Sequence, residues 1–143
     1  MTSSWIPEDR RERIRQEAGH RCGYCLSPQH LVLGLLEIDH LQPQAANGGD
    51  EDDNLWLACR LCNNAKAAQT ESRDPVTGRV VLLFNPRRQT WNDHFRWSRD
   101  GTRILGRTAV GRATIVALQL NNLIAVMVRR HWVKAGWHPP GVD

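Results

Sequence analysis

No apolar run in this chain approaches the roughly 20 residues that a membrane-spanning helix requires. No segment repeats, and none is of low complexity. A membrane span, a solenoid and a disordered tract are therefore not expected. The N-terminus, Met-Thr-Ser-Ser-Trp-Ile-Pro-Glu-Asp-Arg, lacks the basic start and apolar stretch of a secretory signal, so a cytoplasmic location is the expectation. Cysteine is scarce. There are four in 143 residues, and all fall in Cys22-x-x-Cys25 and Cys59-x-x-Cys62, with none left over. In a reducing compartment such pairs are metal ligands before they are disulfides.

The length suits one ordinary domain, here residues 1–143, with a core at 20–70 and an Arg-rich extension at 71–143. Charge divides the same way. Residues 1–70 carry seven Lys/Arg against ten Asp/Glu, and residues 71–143 carry twelve against five. Eleven of those twelve are Arg, the side chain suited to bidentate phosphate contacts. A polyanionic partner is the expectation.

Element signals come next. Pro7 to Ala18 reads as a helix, with Ser3 or Ser4 as its cap and Gly19 as its stop. Leu31 to Leu41 reads as a strand, Gln42 to Asp53 as a polar loop, Asn54 to Ala58 as a second strand and Cys59 to Gln69 as a helix. Beyond a turn at Arg73–Gly78, Arg79–Phe84 and Asp93–Ser98 have strand character, and Asp100-Gly101 signals a hairpin. Ala109 to Ala135 is helical, with a break expected at Asn121-Asn122. Ile115, Leu118, Ile124, Met127 and Val128 are its candidate core positions. The fold class is α+β.

Two cysteine knuckles, each offering two thiolates, build a closed tetrahedral site. Cys22, Cys25, Cys59 and Cys62 are thus expected to hold one structural Zn2+ that staples the fold. Between the knuckles lies Glu37-Ile38-Asp39-His40. An Asp can supply oxygen to a hard divalent cation, and a His can take a proton from water near neutral pH. Taken alone, the dipeptide reads more simply as an Asp and a His satisfying each other at a strand end; set between two cysteine knuckles, it suggests hydrolysis of a phosphodiester. In the basic half, Arg87, Arg88, Arg96 and Arg99 interleave with Phe84, Trp91, Phe95 and Trp97. The arginines are candidates for backbone phosphates, while Trp91, Phe95 and Trp97 are expected to form a small hydrophobic cluster.

EIDHLQP, NGG, DDNL and LCNNAK, in that order, resemble the HNH nuclease motif in its four-cysteine zinc form, over Cys22 to about Lys66. The resemblance implies a zinc-stapled ββα-metal core, here with an N-terminal helix and a C-terminal β-hairpin plus helical extension. It implies His40 as general base and Asn54 as the brace of its loop. It implies Asp39 and Asn63 as ligands of a divalent ion. Many members have His where Asn63 stands, and an amide oxygen favours Mg2+ or Mn2+. Lys66 matches the motif's lysine, and at i+3 from Asn63 it is expected on the same helix face, within reach of phosphate. Glu37 shares the strand face of Asp39 and is a candidate assistant. LFNPR, HFRWS, GTRI and GRATIVALQLNN also look similar to the segment C-terminal to the motif in a bacterial HNH subfamily.

The implied partner is DNA, with RNA still open. A single such site cuts one strand at a time, so double-strand cleavage would call for a homodimer. The rival reading is a zinc-stabilised nucleic-acid-binding module without catalysis.

Overall fold

A computed structural model describes residues 5–141. The expected Ser3 or Ser4 cap lies outside that range. The chain forms two compact units. One holds the chain up to Thr70 together with Asn85–Arg88; the other holds Glu71–Phe84 and the chain from Gln89.

In the first unit, helix α1 (Glu8–Glu17) starts after Pro7 and turns off where Gly19 adopts φ +63°. Ile14 is its buried residue and packs with Ile6 and Leu55, with Ile38 against the edge of that cluster. Strand β1 (Glu37–His40) is shorter than the expected run from Leu31. Gly34, at φ +80°, turns the chain just before it, and Leu33 and Leu35 stand exposed. β1 pairs antiparallel with β2 (Leu55–Ala58), setting Asp39 opposite Trp56 and His40 opposite Leu55. Helix α2 (Arg60–Lys66) comes at once after β2, with the Cys59 sulfur accepting from the Cys62 N–H at its start. The order is strand, long loop, strand, helix, as the sequence indicates.

Asn85–Arg88 straps back onto this unit. Arg87 Nε donates to the Leu55 carbonyl at 3.1 Å, its guanidinium pairs with Glu17 at 3.2 Å, and it lies 4.9 Å over the Trp56 ring. Arg87, a phosphate candidate in the sequence, is thus engaged within the protein.

The second unit holds two small antiparallel pairs, β3 (Glu71–Arg73) with β4 (Val80–Leu82), and β5 (Phe95–Trp97) with β6 (Ile104–Gly106). Helix α3 (Trp91–His94) opens onto β5. The Trp91 ring lies 5.2 Å from Phe95 and 5.4 Å from Trp97, so the aromatic cluster forms as expected. Arg96 and Arg99 remain exposed.

Helices α4 (Ala109–Leu118) and α5 (Leu123–Ala135) meet at a bend of 106°, and Asn122 caps α5 by accepting from the Ala125 N–H. The break at Asn121-Asn122 is where the sequence places it. The buried face of α5 is not. Val126, Arg129 and Trp132 point inward, while Ile124, Met127 and Val128 are 64, 49 and 38% exposed. Helical spacing marks two faces but does not say which one is covered; Arg129 goes inside because the Thr102 and Leu120 carbonyls accept its protons. Among the described residues no single helix is long and apolar enough to cross a membrane.

Two carboxylates organise turns in this unit. Asp74, buried, takes two bonds from Arg112 and others from Val76 and Thr77. Asp100 accepts from the Thr102 N–H and from the Ser98 and Thr102 hydroxyls. The Arg112 guanidinium holds Asp74 well below the usual carboxylate range, and the Thr102 N–H holds Asp100 down at about 2. A depressed carboxylate lends stability that is whole above its unfolded pKa, near 3.9, and lost as pH falls through the folded value. Near-ultraviolet circular dichroism of the tryptophan cluster should therefore hold steady down to about pH 4 and collapse as pH approaches 2. Asp74→Asn should weaken the unit at neutral pH and flatten that dependence. An unchanged acid profile in this variant would contradict the assignment.

Candidate active site

The four cysteines converge. Cys22 and Cys25 come from the turn after α1, and Cys59 and Cys62 from the start of α2. Their sulfur atoms all lie within 4.8 Å of one another, with Cys25 Sγ and Cys59 Sγ 3.7 Å apart. Four sulfurs at about 2.3 Å from one tetrahedral ion stand roughly 3.8 Å from each other. None is in a disulfide. Backbone N–H groups of Tyr24 and Cys62 point at Cys22 and Cys59 sulfurs, each at 3.4 Å. Burial pushes the Cys22 thiol up, while hydrogen bonds with Cys22, Cys59 and Cys62 hold Cys25 well down. Four thiols so close, three of them buried, cannot all ionise alone; a dication lets them. The donor set fits Zn2+, and the closed cluster assigns it a structural part.

At the far end of β1, His40 is 21% exposed at its side chain. The loop after β1 carries it. Asn54 ties that loop with three bonds: its Oδ1 accepts from the Gln42 N–H, and its Nδ2 donates to the Gln42 and Gly49 carbonyls, at 2.8 to 3.0 Å. Gly48 lets the loop close, because a Cβ there would sit 1.7 Å from the Gln42 carbonyl oxygen. His40 Nε2 meets Asp50 Oδ1 at 2.7 Å.

The other face of β1 is turned to α2. Glu37 and Asp39 alternate onto it. Glu37 Oε1 accepts from Asn63 Nδ2 at 2.9 Å. Asp39 is 3% exposed and has both oxygens engaged: Oδ1 with Lys66 Nζ at 3.1 Å, Oδ2 with the Tyr24 hydroxyl at 2.6 Å. Lys66 Nζ donates also to the His40 carbonyl at 3.0 Å. Burial and the neighbouring Asp39 charge push the Tyr24 hydroxyl well up, so it stays a donor.

Lys66 is the plainest departure from expectation. At 2% exposed it does not stand where a phosphate could meet it. It is the cation of a buried pair, and it holds down the end of the strand that presents His40. The expected ion ligands also divide. Oxygen donors of the right kind are present, but both Asp39 oxygens already accept hydrogen bonds, from Lys66 and from Tyr24. Glu37 and Asn63, both half-buried, meet through one amide proton; Glu37 Oε2 and Asn63 Oδ1 have no hydrogen-bond partner among the described residues.

Sequence reasoning missed Asp50, Tyr24 and the loop contacts of α1. Tyr24 sits inside the first knuckle and Asp50 directly follows Gly48-Gly49, but neither spacing announces a partner 15 or 10 residues away.

Residues 22–69 match the family described as HNH endonuclease. That family implies a nucleic-acid substrate for this segment. No curated protein and no solved structure matches the chain.

Proposed function

We propose, from the HNH endonuclease match over residues 22–69, that this protein is a metal-dependent endonuclease that hydrolyses DNA phosphodiesters with His40 as general base. One observation carries the reading. The partly exposed His40 ends a strand whose succeeding loop is cross-tied by Asn54, in a ββα unit anchored by a four-cysteine cluster. A nucleic-acid-binding scaffold needs the cluster but not a braced, partly exposed imidazole.

His40 takes a proton from a water. The water oxygen bonds to phosphorus in line with the scissile P–O3′ bond, which breaks. The products are a 5′-phosphate and a 3′ oxygen that is protonated from solvent. Glu37 and Asn63 would hold the divalent ion, Mg2+ or Mn2+, with Asp39 joining them if Lys66 lets it go. When bound, the ion polarises the phosphate and offsets developing negative charge. The exposed Arg96 and Arg99 would meet backbone phosphates.

The test uses zinc-loaded protein with supercoiled plasmid in EDTA, Mg2+ or Mn2+. Wild type should nick or linearise the plasmid only with added divalent ion. His40→Ala should lower the rate by about a hundredfold or more, the scale of a general base. No cleavage in either metal, with binding that weakens as salt rises, would establish the non-catalytic binding module instead.

A further inference from the structure

We infer that Asp50 is a positioning residue that fixes the tautomer and aim of the His40 imidazole, and that helix α1 holds Asp50 in place; this rests on His40 being the base. Asp50 Oδ1 lies 2.7 Å from His40 Nε2. An ionised carboxylate accepts and never donates, so in a neutral imidazole Nε2 carries the proton. Nδ1 is then the lone-pair nitrogen, and it makes no hydrogen bond among the described residues. A general base needs such a nitrogen, uncommitted and held in one direction.

A flexible loop residue would hold nothing, so the fixity of Asp50 matters. Four contacts supply it. The Arg10 guanidinium donates to the Asp50 carbonyl. It also grips the Asp52 carboxylate at 2.8 Å, and Arg13 takes the other Asp52 oxygen. Asn54 closes the loop from behind through Gly49. Helix α1 is nearly all polar, with Ile14 its buried residue. Its arginines at 10 and 13 are one turn apart and so share a face. That face is spent on the loop after β1. A helix that reads in the sequence as a surface element thus reaches, across 40 residues of chain, to the carboxylate that orients the base.

The experiment compares plasmid nicking by full-length, zinc-loaded wild type, His40→Ala, Asp50→Ala, Asp50→Asn and Arg10→Ala, with kcat and KM measured separately. Nitrogen-15 NMR of the imidazole is recorded on wild type and the Asp50 and Arg10 variants. Wild type should show His40 in the single Nε2–H tautomer. Asp50→Ala should lower kcat at least about tenfold with KM unchanged, as when an orienting carboxylate is lost behind a catalytic His. Asp50→Asn should do likewise, because its amide can turn a donor toward Nε2. Both should show mixed tautomers in a folded protein, and Arg10→Ala should move kcat and tautomer together. A full kcat in both Asp50 variants while His40→Ala is inactive overturns this inference and spares His40 as base. A mixed tautomer in wild type overturns it as well. A His40→Ala protein that cuts like wild type overturns the base assignment beneath it.

Discussion

Removal of the ion from the four-cysteine cluster is expected to unfold the first unit outright. Structural zinc contributes on the order of 10–16 kcal/mol of apparent binding energy at neutral pH. A whole domain is stable by about 5–15 kcal/mol. Besides the cluster the unit buries a modest set of side chains, Tyr24, Leu36 and Leu57 among them. Its apolar centre is Ile6, Ile14 and Leu55 with Ile38 at the edge, and β1 and β2 are four residues each. Cys59→Ser removes one thiolate from the cluster while leaving a hydroxyl that can still accept from the Cys62 N–H at the start of α2, so it tests the metal site and not the helix cap. Zinc content by mass spectrometry should fall together with the far-ultraviolet signal and with plasmid nicking. A Cys59→Ser protein that unfolds at the wild-type denaturant concentration would show that the cluster does not staple the fold.

Lys66→Met is expected to destabilise the same unit by about 3–5 kcal/mol, the cost of removing one partner from a buried ion pair. Methionine fills much the same space, so packing survives. Asp39, however, keeps its charge inside with Tyr24 as its remaining side-chain donor. At roughly 1–3 kcal/mol per molar urea, the midpoint should drop by more than one molar. Urea unfolding followed through the amide NMR signals of β1 and β2 reads this. Combining the change with Asp39→Asn should recover most of the loss, because no unpaired charge is then left inside. A single variant as stable as wild type would mean that Lys66 is not the counter-ion of Asp39. The double variant also separates two roles of Asp39. If it is mainly a counter-ion, nicking returns with stability; if it must touch the divalent ion, stability returns without nicking.

What can be read from the residues depends on the range of the interaction. The cysteine pairs are legible because each knuckle is a local turn, and the ββα order is legible because loop and helix signals are local too. His40 and Asn54 come through the resemblance, which compresses long-range geometry into a motif. Lys66 is misplaced by the sequence because spacing along a helix gives a face but not the depth of that face. Its neighbour on that face is Asp39, 27 residues earlier, and only the register of β1 against β2 and the packing of α2 bring the two together. Asp50 and Arg10 are illegible for the same reason. On α5 the stripe of Ile124, Met127 and Val128 reads as core by hydropathy, yet Arg129 is the residue that enters, because its protons meet carbonyls there.

The strap at Asn85–Arg88 has a practical consequence for anyone wishing to shorten this protein. Space and chain order disagree in the first unit: its last piece arrives only after the chain has left to build β3 and β4. A fragment cloned to stop at residue 70 would contain every ligand and every motif residue, yet lack Arg87. The Leu55 carbonyl would lose its donor, Glu17 its partner and Trp56 its cover. Gly23 of the first knuckle is set closely against Pro86, so the cysteine turn itself would lose a wall. The portable nuclease cassette suggested by the motif is therefore not a severable piece of polypeptide. A minimal version has to be rejoined, with residues 85–88 spliced back through a designed linker, rather than simply cut.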